Sequence, residues 1–317
     1  NAETPIAPHS FQPFFFLTTF INLAIDGLVV ETMVSLSGFA RLMRPVNCTM
    51  MGFAVIVGAA LASGLKFPTG AWWSLVLSFF TAFTLTGSAM AVNDYYDREI
   101  DSVNEPQRPI PSGAVSPRGA LILFALLSFF GFSTSFLTNV ICLATAVFAW
   151  AVMTLYSTRG KRTGFLGNLL VSTCVSIPFI YGAFALGGVL RSSSLLFASM
   201  AFLSNTGREV VKGIVDVEGD KKEGIKTIAV SYGGCVTAFV AAALNLAAVL
   251  LSFLPIFWNI ISLWYIPLIF VSDLGFMVSS LSLLRNYGRE NATRIKNLYL
   301  LWMGLGLIGF LVGSIKS

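Results

Sequence analysis

Long apolar runs separated by short polar segments dominate the chain from residue 46 to its end. A helix needs about 20 predominantly apolar residues to cross the roughly 30 Å hydrocarbon core of a bilayer. Nine runs approach or exceed that length: 46–64, 71–94, 118–136, 139–157, 165–188, 194–215, 235–256, 259–284 and 297–315. The pattern predicts an all-α, polytopic membrane bundle of nine transmembrane helices.

A further apolar run at 12–30 contains Asp26 and precedes Met33, a candidate start codon. We interpret residues 1–35 as an N-terminal extension of uncertain origin and place the membrane domain at residues 36–317. Because no basic region precedes the run, a cleaved secretory signal is not expected.

The composition supports the membrane assignment. The chain is 56% hydrophobic and 11% charged, whereas soluble domains carry roughly 25% charged residues. The net charge of +5 does not indicate nucleic acid as a partner, because the basic residues lie between apolar runs and form no basic stripe. His9 is the single histidine of the chain. An HExxH zinc site, a Ser-His-Asp triad and bis-histidine haem ligation are therefore excluded.

The basic residues predict the orientation of the bundle. Of the 20 Lys and Arg residues, 17 fall on one side if alternate loops share that side, and Lys66, Arg191 and Lys316 fall on the other. The basic side contains the segment before residue 46 and the loops near 97–118, 158–164, 208–234 and 285–296. By the positive-inside rule these loops are cytoplasmic, in a multi-pass protein of the cell membrane.

Ten of the 15 acidic residues occupy two short segments, both on the predicted cytoplasmic side. The first acidic segment contains Asp94, Asp97, Glu99, Asp101 and Glu105, and the second contains Glu209, Asp216, Glu218, Asp220 and Glu223. They follow the second and sixth apolar runs, which suggests two four-helix halves facing a common cavity, plus a ninth helix.

The spacing within both segments is four residues. Asn93, Asp97 and Asp101 share one helix face if the helix continues to residue 101. The second stripe carries two cations and two carboxylates: Arg208, Lys212, Asp216 and Asp220.

Carboxylates one turn apart repel each other, and a divalent metal removes that repulsion. Mg²⁺ prefers hard oxygen ligands and bridges carboxylates to substrate phosphates. The two segments therefore predict a Mg²⁺ site that holds a diphosphate, with Arg and Lys neutralising the remaining oxygens. The metal would stabilise the departing diphosphate and leave an allylic carbocation.

At these residues the chain resembles the UbiA-type intramembrane prenyltransferases. Asn93–Gly113 (NDYYDREIDSVNEPQRPIPSG) is similar to the first signature of that family, and Arg208–Thr227 (REVVKGIVDVEGDKKEGIKT) is similar to the second. An Arg-Pro-x-Asn at Arg44–Asn47 and a Tyr-Ser and Lys loop at Tyr156–Asn168 extend the resemblance, which covers roughly residues 36–317.

The resemblance implies a central cavity, a Mg²⁺-bound prenyl diphosphate under cytoplasmic loops, and a lipid acceptor. The candidate metal ligands are Asn93, Asp94, Asp97, Asp101, Asp216 and Asp220. The candidate diphosphate-binding residues are Arg44, Asn47, Lys161, Arg162, Arg208, Lys212 and Lys222. Asp97, Asp216 and Tyr156 are the candidate catalytic residues, and an aromatic face such as that of Tyr156 can stabilise a carbocation.

The amino-acid sequence of the second signature is most similar to that of the archaeal branch that makes digeranylgeranylglyceryl phosphate. This implies geranylgeranyl transfer to geranylgeranylglyceryl phosphate. The phosphate of that acceptor needs a second cationic patch, and the basic residues near Arg162 and Lys222 are candidates. Asp273, within the eighth apolar run, is either a functional residue or a member of a buried pair.

Three alternatives stay open. An aromatic quinone precursor or a chlorin is a second class of acceptor. A membrane cation transporter is an alternative of another class, although transporter sites lie near the bilayer midplane and Arg or Lys residues would repel a cation. A CDP-alcohol phosphotransferase also uses Asp clusters in a membrane, but its compact signature is absent from this sequence.

Overall fold

The computed structural model describes residues 36–64, 67, 69–187 and 190–315, so the predicted extension at 1–35 lies outside the described residues. The described residues form helices and connecting turns and contain no strand, which confirms the all-α fold class. The helices are α1 Leu36–Met43, α2 Pro45–Ser63, α3 Ala71–Asn104, α4 Pro117–Thr138, α5 Val140–Thr158, α6 Phe165–Ala185, α7 Ser192–Val215, α8 Val217–Lys222, α9 Ile228–Ser252, α10 Leu254–Phe257, α11 Tyr265–Arg285 and α12 Arg289–Gly313. A 3₁₀ turn, Gly160–Thr163, joins α5 to α6.

Eight of the described helices, α2 to α6, α9, α11 and α12, are long and apolar enough to cross a bilayer. The chain is therefore a multi-pass membrane protein. Helix α7 is 24 residues long but carries Arg208, Glu209 and Lys212 in its last two turns, so it is less apolar than the others. The count of nine spans stays a prediction.

The nine long helices pack in a closed ring. Each contacts the next along the chain: α2 with α3, α3 with α4, and so on through α7, α9, α11 and α12, and α12 contacts α2. Sequential packing needs only short connections between neighbours. The ring encloses the predicted central cavity, which is lined by residues of α2 to α7 and α12.

Glycine permits a close approach of helices α2 and α6. A side-chain carbon at Gly58 would overlap the backbone of Phe179, and one at Gly182 would overlap the backbone of Val55. Small residues at a membrane helix interface let two backbones approach closely and gain packing energy. The two helices are thereby fixed against each other on one side of the cavity.

Helix α3 is much longer than a membrane span. Its 34 residues extend for about 50 Å at 1.5 Å per residue, whereas the hydrocarbon core is roughly 30 Å thick. The helix can therefore leave the bilayer and still be helical where the first acidic segment begins.

Polar contacts join the ends of several helices of the ring at one face of the bundle, which we call the polar face. Side-chain contacts join the start of α2, the end of α3 and the turn after α5, and another joins the end of α7 to the start of α12. Gly164, after the 3₁₀ turn, packs against the backbone of Lys226, which follows α8. Both acidic segments therefore lie at the polar face.

The shared face predicts the outcome of cysteine labelling. In a background without the four native cysteines, Ser112→Cys and Lys221→Cys, both at exposed positions of the polar face, should react with an impermeant maleimide from the cytoplasmic side. Arg191→Cys, exposed at the start of α7, is the control and should react from the opposite side. Labelling of the first two cysteines from opposite sides would contradict the shared face.

Candidate functional site

The central cavity has a volume of about 410 Å³, within the range of roughly 300–1,000 Å³ of small-molecule sites. Its deep part is mainly apolar and includes Val55, Leu85, Phe124, Trp150, Val171 and Ile177. Its charged and amide side chains lie at the helix ends of the polar face. The cavity therefore matches a molecule with an anionic head and a hydrocarbon tail.

Several residues predicted from the sequence line this polar mouth, namely Arg44, Asn47, Asn93, Tyr156, Arg208 and Lys212. The structure adds others that were not predicted as site residues: Arg108, Asn205, Glu209, Lys296 and Asn297. Five of the lining residues are cationic and one is an acid, so the mouth is suited to an anion.

The first acidic segment is helical up to Asn104, where α3 ends, and Glu105 follows the helix. The predicted stripe of Asn93, Asp97 and Asp101 therefore lies on one helix face. Asn93 lines the cavity, and Asp97 and Asp101 follow it by one and two turns toward the polar face. The Asn93 side-chain amide donates a hydrogen bond to Asp97 Oδ2 over 2.8 Å, which orients this carboxylate.

Each aspartate of the first acidic segment has a cationic partner. Asp94 is 2% exposed and lies 2.6 Å from Arg44 and 3.6 Å from Arg108. Arg108 also donates a 2.6 Å hydrogen bond to Asp101.

The third aspartate, Asp97, contacts the ammonium group of Lys161 from the 3₁₀ turn. A buried carboxylate needs such partners, because the cost of removing its charge from water is otherwise uncompensated.

Arg44 has an unusual backbone. It is left-handed, with φ 53° and ψ 70°, and it precedes Pro45 at the start of α2. A left-handed conformation costs a residue with a side chain roughly 1–2 kcal/mol. The Asn47 backbone N–H donates to the Arg44 carbonyl over 2.9 Å, and the guanidinium binds Asp94. These contacts fix the guanidinium group at the mouth of the cavity.

The second acidic segment does not form one continuous helix. Helix α7 ends at Val215, and Asp216, with φ −98° and ψ 4°, separates it from α8. Asp216 leaves α-helical geometry for the bridge region, so the helix that carries the predicted stripe from Arg208 to Asp220 is interrupted at this residue. The Asp220 N–H still donates to the Asp216 carbonyl over 2.9 Å, which keeps the two aspartates one turn apart.

Negative charge is in excess around Asp220. Burial, together with the nearby carboxylates of Asp216 and Glu223, raises the pKa of Asp220 to about 6. Burial lowers the pKa of Lys161 to about 8, while Glu223 opposes that shift. Lys161 therefore lies within electrostatic reach of both acidic segments, because it contacts Asp97 in the first and is affected by Glu223 in the second.

The donor chemistry of the two acidic segments fits Mg²⁺. Carboxylate and amide oxygens are the hard ligands that this ion accepts, and one or two carboxylates suffice when substrate phosphates and waters complete the shell. The excess negative charge at Asp220 favours a cation. Within the part of the chain that the structure describes, no three His, Cys, Asp or Glu side chains converge at metal-binding distance.

Three of the predicted diphosphate-binding residues are not part of the cavity lining, and one of these, Lys161, contacts Asp97. The other two, Arg162 and Lys222, are exposed.

Lys296 was missed because the apolar run begins at residue 297, whereas α12 begins at Arg289. The sequence signal that could have revealed it was the polar segment from Arg289 to Lys296, directly before the apolar run.

Asp273 belongs to a separate, buried pair. Ser252 Oγ donates a 2.6 Å hydrogen bond to its carboxylate, and the Tyr265 hydroxyl donates to the Ser252 carbonyl over 3.1 Å. The carboxylate lines a smaller cavity of about 80 Å³ between α2, α6, α7, α9, α11 and α12. Of the two interpretations of Asp273, the buried pair is the one with an observed partner.

Residues 51–305 match the UbiA prenyltransferase family. The chain is 37% identical over 286 residues to the digeranylgeranylglyceryl phosphate synthase of Methanosarcina mazei, covering 87% of this chain and 97% of the relative. It is 34% identical to the synthase of that name from Methanothermobacter thermautotrophicus, covering 87% and 95%.

Solved structures of UbiA homologues are also similar to the chain. A structure described as digeranylgeranylglyceryl phosphate synthase in membranes is 30% identical, with a TM-score of 0.70 and coverage of 89% of this chain and 99% of that one. A UbiA homologue from Aeropyrum pernix K1 has the same fold, with a TM-score of 0.70, 23% identity and coverage of 83% and 97%. A homologue from Archaeoglobus fulgidus bound to GPP and Mg²⁺ has a TM-score of 0.61 at 17% identity, with coverage of 86% and 99%.

The pairing of Asp94 generates a stability prediction. Asp94→Asn leaves two guanidinium groups short of a counter-charge and should lower the free energy of unfolding by about 1–3 kcal/mol. This is below the cost for fully buried pairs, because Arg44 and Arg108 are each about one-third exposed. Denaturant titration in detergent, followed by tryptophan fluorescence, measures the loss. Asp216→Asn, at an exposed position, is the matched control, and an equal loss there would contradict the assignment.

Proposed function

Because the chain belongs to the UbiA prenyltransferase family, we propose that it transfers a geranylgeranyl group from geranylgeranyl diphosphate to the free hydroxyl of geranylgeranylglyceryl phosphate. Two curated relatives at 34–37% identity, each covering 87% of the chain, have the name of this activity. That the protein is a prenyltransferase follows from the family itself. The geranylgeranyl donor and the phosphorylated lipid acceptor are the proposal.

The observation that carries the proposal is the division of the cavity into a cationic mouth and an apolar interior. A prenyl diphosphate has the same division, with its anionic head at one end of a hydrocarbon chain. Burial of the chain supplies about 0.8 kcal/mol for each CH₂ group. Such binding holds the scissile C–O bond beside the two acidic segments.

Asn93, Asp97 and Asp101 of α3, with Asp216 and Asp220 of the second acidic segment, would hold Mg²⁺. The ion would neutralise the negative charge that develops on the departing diphosphate. A UbiA homologue of the same fold binds GPP and Mg²⁺. With the ion held there, the same protein residues would also position the diphosphate.

The chain also supplies cations for the diphosphate oxygens. Arg44 and Lys161 contact Asp94 and Asp97 of the first acidic segment, so both cations are held beside the proposed metal ligands. The C–O bond to diphosphate breaks with both electrons leaving on oxygen. The acceptor hydroxyl oxygen then bonds to the allylic carbon and its proton passes to the released diphosphate. Tyr156 at the cavity wall offers an aromatic face to the cation.

The alternatives fit the cavity less well. A cation transporter would place a cationic substrate in a mouth lined by five cationic side chains and one acid, which is unfavourable. A phenol or chlorin acceptor would leave part of this positive charge without an anion. The polar face is proposed to be cytoplasmic, as the positive-inside rule indicates.

Metal dependence tests the proposal. Purified protein should convert geranylgeranyl diphosphate and geranylgeranylglyceryl phosphate to product in Mg²⁺, and excess EDTA should abolish turnover. Asp97→Ala and Asp216→Ala should lower kcat by about a hundredfold or more, because each removes a proposed ligand of the metal that would neutralise the leaving diphosphate. The measurement is product formation with radiolabelled donor.

Glu99→Ala is the matched control for these variants. Glu99 lies in the first acidic segment, but its side chain is 86% exposed and lies off the stripe of Asp97. Its turnover should stay near that of the unmodified chain. Undiminished product in EDTA would contradict the metal site, and prenylation of a phenol without turnover of the phosphorylated lipid would contradict the acceptor.

A further inference from the structure

The cations at the cavity mouth form two groups. One group, Arg44 and Arg108, contacts the first acidic segment, which Lys161 contacts from outside the cavity lining. The other consists of Arg208 and Lys212 on α7 and Lys296 on α12, and we call it the α7–α12 cluster. All three of its members line the cavity.

Glu209 organises the α7–α12 cluster from within. This carboxylate is 7% exposed and lies 3.0 Å from the Arg208 guanidinium and 2.7 Å from the Lys212 ammonium. Arg208 Nε also donates to the backbone carbonyl of Lys296 over 3.2 Å. The last bond joins α7 to α12, so the cluster is held by two helices that are neighbours in the ring.

Lys296 is the member of the cluster that is not paired with Glu209. Its ammonium group forms no ion pair within the described part of the chain, whereas Glu209 is shared between Arg208 and Lys212. The three cations and Glu209 leave two positive charges in the α7–α12 cluster, and Asp216, which lies within electrostatic reach of Lys296, offsets part of this excess. A phosphate monoester carries about −1.5 to −2 charges at pH 7. The cluster therefore has the charge to bind one such group.

The chemistry of the α7–α12 cluster differs from that of a metal–diphosphate site. A metal that holds a diphosphate needs carboxylates free to bind it. The carboxylate of this cluster already binds two cations of the cluster itself, so it is a counter-ion within an anion site. The candidate metal ligands lie on α3 and at Asp216 and Asp220.

We propose that Arg208, Lys212 and Lys296 bind the phosphate monoester of the acceptor lipid, separately from the donor diphosphate. The inference rests on the proposed function, which supplies a phosphorylated acceptor. The α7–α12 cluster thus becomes the candidate site for this phosphate in place of Arg162 and Lys222. Those two residues are exposed and outside the cavity lining.

The geometry suits an acceptor that reacts next to its phosphate. Whichever hydroxyl of the glycerol is free, it lies at most two carbons from the carbon that bears the phosphate. Lys212 is one helical turn before Asp216 on the chain, and the Lys212 carbonyl accepts the Asp216 N–H over 3.0 Å. A phosphate on the cluster therefore leaves the hydroxyl close to the second acidic segment, where the donor reacts.

Lys296→Gln tests the assignment by separating the two substrates. Loss of a charge-assisted contact should raise the KM for geranylgeranylglyceryl phosphate by about ten- to a hundredfold. The KM for geranylgeranyl diphosphate should change by less than about threefold, because other cations and the metal bind the donor. Lys296→Arg should restore most of the acceptor affinity. Arg294→Gln, an exposed cation of the same helix, is the matched control and should leave both KM values unchanged.

Binding without metal provides a second readout. In excess EDTA, titration of detergent-solubilised protein with geranylgeranylglyceryl phosphate should show about tenfold weaker binding or more for Lys296→Gln. With geranylgeranylglycerol, which lacks the phosphate, the two proteins should bind equally. This difference isolates the phosphate from the hydrocarbon chain.

Two outcomes would overturn the inference. Equal increases in both KM values would assign the cluster to the diphosphate, and an unchanged acceptor KM would remove it from phosphate binding. Failure of the proposed function looks different, because the unmodified protein would then give no product from the phosphorylated lipid. Metal-free binding of that lipid, weakened by Lys296→Gln, would support the phosphate site even in that case.

Discussion

The arrangement of this site depends on the cost of placing charge at the boundary of a membrane. A carboxylate or ammonium group removed from water loses several kcal/mol unless an opposite charge or hydrogen bonds compensate it. At the polar face, Asp94, Asp97 and Asp101 each contact a cation, and Glu209 contacts two. Charge balance therefore decides which residues of the two acidic segments can be buried and which must stay exposed.

The same balance bears on the proposal that one cavity mouth binds two anionic substrates. A metal–diphosphate complex presents charges of both signs, so it can engage carboxylates and cations of one group together. A phosphate monoester presents negative charge alone and needs a net cationic site. The first kind of surroundings exists where α3 meets the 3₁₀ turn, and the second exists where α7 meets α12. Separate sites of different charge would keep donor and acceptor from exchanging places.

The sequence predicted what depends on short-range spacing. The stripe of Asn93, Asp97 and Asp101 follows from a four-residue repeat in a continuous helix, and the apolar runs follow from the thickness of the bilayer. It did not predict that Asp94, one residue from Asn93, is a buried counter-ion of Arg44. That role depends on a left-handed residue 50 positions away. The break at Asp216 was also missed, because four-residue spacing alone does not reveal where a helix ends.

Helix length determines where the chemistry takes place. Helix α3 extends beyond the hydrocarbon core, so its apolar residues line the deep cavity while its aspartates lie at the polar face. A prenyl chain bound along this helix therefore has its diphosphate near water and its tail in apolar surroundings. Charged side chains at the polar face are partly solvated, which lowers the cost of placing them there. The same aspartates three turns deeper in the helix would lack partners. The boundary between the two environments thus positions the scissile bond, and the ring of helices keeps that boundary in one place.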